Sequence, residues 1–174
     1  MTPRVIDTGV IVVGGYGTID ESAPEECIEE CISALDTAMS DGRVVMDQAG
    51  EILDGYLDYL DRRAATPRDR FLIWVLQHQV DRWDVISTTP HKERCYAEFP
   101  SDPELATFDR SDRKFVAASR AHPDRPPILV AVDTDWWDAR KALRRHNVRL
   151  EFLCEAELRA TAGQRSVRRQ VRAS

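Results

Sequence analysis

Apolar positions along the chain follow two rhythms. Short runs of Val, Ile, Leu and Met alternate with longer stretches whose apolar residues recur three and four apart. The first run, RVIDTGVIVV at 4–13, predicts a strand over 4–6 that ends at Asp7, with the following apolar residues turning into a short helix. Residues 23–40 predict a helix, because Ile28, Cys31, Ile32, Leu35 and Met39 share one face. Glu21, Glu25 and Glu26 stand near its start, where acids suit the helix dipole, and Asp41-Gly42 stops it. Residues 43–46 predict a second strand, ending at Asp47. Residues 48–63 predict a helix with an apolar stripe of Ile52, Leu53, Tyr56, Leu57 and Leu60 and an acidic face of Glu51, Asp54, Asp58 and Asp61. Thr66-Pro67 opens the next helix, running to about Trp83, since Thr caps well and Pro suits the first helical position.

Residues 84–108 are the least regular. They hold Thr88-Thr89-Pro90, Pro100 and Asp102-Pro103, and predict a long connection with one short strand around 85–87. Ser111 caps a helix over 112–121, which Pro123, Pro126 and Pro127 end. Residues 128–132 (ILVAV) form the clearest buried strand, and it ends at Asp133. A helix over 136–145 ends at His146-Asn147, and VRLEFLC at 148–154 is a last strand. This alternation predicts an α/β fold: three layers, α/β/α, around a central, mostly parallel twisted sheet. The predicted division is a domain over 1–154 and a basic C-terminal tail over 155–174, with room for one short helix.

A chain of 174 residues is the length of one domain and can bury a core without staples. With 43% hydrophobic and 31% charged residues, wholesale disorder is excluded. No apolar run reaches the roughly 18 residues a membrane span needs. The opening MTPRVID puts an acid where a signal peptide needs its apolar stretch, so the expectation is a cytoplasmic chain. Twenty-four Lys and Arg against 30 Asp and Glu give a net charge of −6. Nucleic acid coating the whole surface is therefore excluded, and any such contact must be local. Of Cys27, Cys31, Cys95 and Cys154, only the first two are close in sequence. No CxxC pair supports zinc, and buried free thiols are the expectation.

The aspartates carry the chemistry. Asp7, Asp47 and Asp133 each follow a predicted strand, and Asp112 opens a helix. In a doubly wound sheet the carboxyl ends of the strands share one edge, where ligands bind. Acids gathered there repel one another, which raises a pKa or demands a hard cation such as Mg²⁺ or Mn²⁺. Each alone is as well explained as a cap or strand end.

Three pieces carry a resemblance: Val5-Ile6-Asp7-Thr8, Ser111-Asp112-Arg113-Lys114-Phe115-Val116-Ala117, and Leu129-Val130-Ala131-Val132-Asp133-Thr134-Asp135-Trp136. In order and rough spacing over residues 4–153 the chain resembles the PIN domain, a PIN-like metal-dependent nuclease of the toxin type. The resemblance implies that Asp7, Asp112 and Asp133 bind metal, with Asp135 auxiliary and Asp109 a fallback for Asp112. It implies a further acid on the helix after the second strand. Glu51 and Asp54, one turn apart, both fit, or Gly55 takes that position and the ligand is missing. Gly9 and Ala131 stand where the family has polar residues. The implied function is a Mg²⁺- or Mn²⁺-dependent endoribonuclease, a toxin or antiviral defence effector, homodimeric and restrained by a neutralising partner protein. DNA as substrate, or a catalytically degenerate regulatory or scaffold subunit, are the alternatives.

Other motifs are weaker. Asp133-Thr134-Asp135 mimics a phosphatase DxD but lacks the downstream Lys and acid pair. Gly14-Gly15-Tyr16-Gly17 lacks the GxGxxG spacing and a Lys-Ser/Thr. His78, His91, His122 and His146 fall in no metal or triad spacing, and His122 reads as a helix end. Trp74, Trp83, Trp136 and Trp137 read as packing, with Trp136 the one to watch for base stacking. Arg140-Lys141, Arg144-Arg145 and the tail residues Arg165, Arg168, Arg169 and Arg172 are candidate phosphate contacts; Arg62, Arg63, Arg68 and Arg70 are candidate groove residues.

Overall fold

A computed structural model describes residues 2–15, 23–61, 63 and 65–173, with the backbone alone for 165–173. Five strands form one all-parallel sheet: β1 (Thr2–Ile6), β2 (Gly42–Asp47), β3 (Trp83–Ile86), β6 (Ile128–Val130) and β7 (Leu150–Phe152), in the order β3-β2-β1-β6-β7. Helices cover it as a three-layer α/β/α fold, as the alternation predicts. Val5, Ile6, Val44, Val45, Met46 and all of β6 are buried on both faces, which is why these strands read as unbroken apolar runs rather than as alternations.

Helices α1 (Thr8–Gly14), α2 (Glu25–Asp41) and α4 (Pro67–Gln77) pack on one another. Helix α3 (Glu51–Leu57) packs against β2, α1 and α5, and α5 (Arg113–Ala121) lies against β1, β2 and β6. After β6 come α6 (Thr134–Arg145), β7 and α7 (Glu155–Ala173). Tyr56 of α3 is buried, and its hydroxyl donates to the Ile6 carbonyl (2.5 Å), tying α3 to the end of β1.

Several expectations are corrected. The helix predicted over 48–63 is only α3, because the Asp47 side chain accepts from the N–H groups of Glu51 and Ile52 and delays the start. The helix after Thr66 stops at Gln77, and Trp83 belongs to β3, its indole N–H donating to the Val75 carbonyl. Beyond Cys154 the chain forms the 19-residue α7 rather than a short helix, anchored by buried Leu158. Cys27 and Cys154 are disulfide-bonded rather than free, while Cys31 and Cys95 are free. Trp136 is fully buried, edge-on to Phe108 (centroids 4.9 Å apart), so it packs the core and stacks on no base. Tyr16, Gly17, Glu21, Arg62 and the side chains of Arg165, Arg168, Arg169 and Arg172 lie outside the described residues. Among those described, no helix is long and apolar enough to cross a membrane.

The long connection is organised around one cation. Within it are a ribbon of β4 (Pro90–His91) and β5 (Cys95–Tyr96) and a 3₁₀ turn at Pro103–Leu105. Buried Arg113, at the start of α5, donates to the carbonyls of Phe108 (3.0 Å) and Ala106 (2.9 Å) and stacks on the Phe99 ring (4.6 Å). Loop carbonyls that would otherwise be stranded away from water gain a charged donor. Arg113→Met should lower stability by about 2–4 kcal/mol, and Arg113→Lys should recover little of it, because an ammonium lacks the guanidinium fork. Denaturant titration of the variants measures both.

Candidate active site

The sheet order reverses direction at β1. The chain moves from β1 to β2 and β3 on one side, then returns to place β6 on the other. The crevice between the carboxyl ends of β1 and β6 is thus a topological switch point. Asp7 leaves β1 there, its N–H bonded to the Leu129 carbonyl of β6 (3.0 Å). Asp133 follows β6 as the N-cap of α6, accepting from the Asp135 N–H (2.7 Å). Asp112 arrives from a third segment, the residue before α5. All three line one cavity of about 510 Å³, with Asp109, Asp58 and Lys114 on its walls.

Asp7 is 2% exposed, and its Oδ2 accepts from the Gly9 N–H (2.9 Å). A Cβ at position 9 would meet that oxygen at 2.8 Å, so glycine lets the donor close in where a polar residue would crowd it. Burial, then the charges of Asp112 and Asp133, push the Asp7 carboxyl up to about 8 against the pull of the Gly9 and Thr8 N–H groups. Burial, then Asp133 and Asp109, push Asp112 up to about 7, with Lys114 and Ser111 opposing. Burial also raises Asp133. Each carboxyl is held where ionising costs energy unless positive charge comes with it.

The other expected acids go elsewhere. Asp47, on which convergence was also expected, spends both oxygens capping α3. Glu51 is exposed and accepts from the Tyr96 hydroxyl; Asp54 is exposed and does not line the cavity. Asp135 is exposed and lines a neighbouring hollow beside Glu104 and Asp138. On the cavity wall, α3 presents Gly55 instead. The Lys114 ammonium sits 2.9 Å from where a Cβ at position 55 would stand and donates to the Glu51 carbonyl (3.2 Å). Asp58 and Lys114 are the site residues that sequence reasoning passed over. Asp58 reads as one more acid on an exposed face, and only the end of α3 at Leu57 brings it to the cavity.

An all-oxygen donor set suits a hard divalent cation. Among the described residues no three acids bring their oxygens within 4.8 Å of one another. The donor chemistry fits such a cation, but the spacing makes no preassembled three-carboxylate cage. Arg140 is stacked on Trp137 (3.9 Å), and Arg145 pairs with Asp102 and Glu104; neither lines this cavity. Comparison of the chain with family models, with curated proteins and with solved structures returns no match.

In the fold Asp7 keeps its proton to about pH 8, whereas an unfolded aspartate gives it up near 4. The stability that this proton carries is complete below about pH 4 and drains away as the pH rises towards 8. An amide suffers no such loss and still caps α1. In chelator-treated buffer, Asp7→Asn should therefore raise the melting temperature at pH 8 by several degrees and change it much less at pH 5. Thermal scans at the two pH values decide it, and a gain confined to pH 5 would contradict the sign.

Proposed function

We propose that this chain is a PIN-like, divalent-metal-dependent nuclease that hydrolyses phosphodiester bonds, with RNA as the preferred substrate. The observation that carries the reading is the meeting of Asp7, Asp112 and Asp133, from three separate stretches of chain, in one cavity at the switch point of a parallel sheet. No nucleophile of the protein is required. When bound, Mg²⁺ or Mn²⁺ lowers the pKa of a coordinated water and offsets charge developing on the phosphate. Asp7, Asp112 and Asp133 are the residues that would hold it. The Gly9 N–H orients Asp7, and the Asp135 N–H orients Asp133. The Lys114 ammonium adds a donor for a phosphate oxygen on the same wall. A toxin or antiviral defence role, a neutralising partner and a homodimer follow from the resemblance stated above and belong to the same proposal.

The second reading, a degenerate regulatory or scaffold subunit, draws on two observations. Gly55 offers no fourth carboxylate from α3, and the three acids stand further apart than a tightly ligated ion would leave them. Incubation with RNA or single-stranded DNA in the presence of Mn²⁺ separates these readings. The nuclease reading expects cleavage that falls at least about 100-fold in both Asp7→Asn and Asp133→Asn, as loss of a metal-binding carboxylate requires. Cleavage undiminished in both variants would sink it. Cleavage of DNA alone would move the substrate, and calorimetry with no saturable Mn²⁺ binding would favour the scaffold.

A further inference from the structure

Away from the acid cavity, at the same carboxyl edge of the sheet, three sulfur atoms lie within 4.8 Å of one another. They belong to Cys27 and Cys31, one turn apart on α2, and to Cys154, just past β7; all are buried. Two of them form the disulfide, with Cα atoms 5.2 Å apart. A simple covalent tie between α2 and the start of α7 needs two cysteines, and the third thiol is unexplained by it. The hollow beside them, about 560 Å³, has Glu26, Glu30, Glu155 and Glu157 on its walls. Glu155 is paired with Arg159 (2.6 Å), and the other glutamates leave this mouth negative, a setting that attracts cations.

We propose that Cys27, Cys31 and Cys154 form a trithiolate site for a soft d¹⁰ dication, Zn²⁺ in the first place, which opens when the Cys27–Cys154 disulfide is reduced. Four-coordinate zinc with Zn–S bonds near 2.3 Å sets its sulfurs about 3.8 Å apart. The Cys31 sulfur, within 4.8 Å of the other two, needs only a small approach to reach that spacing once they separate. A dithiol supplies the electrons: the Cys27–Cys154 bond breaks, a disulfide forms in the reductant, and its two protons pass to Cys27 and Cys154. Zinc then replaces the protons of all three thiols, and a water or one of the glutamates at the mouth completes the tetrahedron. The same sulfurs thus hold the α2–α7 corner in two exclusive ways, by an S–S bond under oxidising conditions and by a metal under reducing ones. This site is independent of the nuclease reading.

The test uses the full chain, reduced with a dithiol, freed of it without oxygen, and titrated with Co²⁺ and then Zn²⁺. The expected result is a sulfur-to-cobalt charge-transfer band saturating at one equivalent and erased by one equivalent of Zn²⁺, with no band in the oxidised protein. Cys31→Ser retains the disulfide, so its fold is verified by circular dichroism before reduction. It should then bind at least about 10-fold more weakly, whereas Cys95→Ser should match the parent. No band in the reduced parent, a band already present in the oxidised one, or a Cys31→Ser variant that binds as the parent does would overturn the proposal.

Discussion

Like charge confined in the crevice between β1 and β6 is the constraint that the rest of this molecule accommodates. Three carboxyls share a cavity in which burial and mutual repulsion both resist ionisation. Hydrophobic packing does not produce such an arrangement. It is bought with stability elsewhere, in the fully buried β6 and in the apolar contacts of α1 and α5 with the central strands. Nearby backbone N–H groups aimed at Asp7 and Asp133 return part of the cost and fix where the oxygens point.

The position of Asp112 depends on a different balance. It precedes α5, whose first residue, Arg113, turns inward to serve the carbonyls of the long connection. Phe99 lies under that cation, Phe108 stacks on Phe99 and Trp136 meets Phe108 edge-on, which links the connection to α6, the helix that Asp133 caps. Two of the three cavity acids are thereby held by one buried cluster. Their spacing follows from core packing at some distance from the cavity itself. Lys114, on the same helix turn, lies against Gly55 and fills the hollow that the glycine leaves.

Much of this was legible in the chain. The strand runs at 4–6, 43–46 and 128–132 (the last ending two residues early, at Val130), the α2 stripe, the Thr66-Pro67 start and the acids at strand ends are local features, and local features survive folding. The helix ends were less legible. Asp47 could be read as a site acid or as a cap, and the choice turned on whether the chain bends back over its carboxylate. Glu51 and Asp54 looked equally suited to the site because a helix of undetermined length leaves its facing undetermined. Tyr96, from the ribbon some 45 residues on, captures Glu51.

By itself the sequence determined the layers, the parallel sheet and the residues that stand at strand ends, because hydrophobic period and turn chemistry act between near neighbours. Only the tertiary structure decided which acids meet, that Gly55 and Lys114 share a wall, and that Cys154 comes to lie on Cys27 across 127 residues. Those outcomes depend on strand order and crossover geometry. They bring together side chains whose separation along the chain carries no trace of their distance in space.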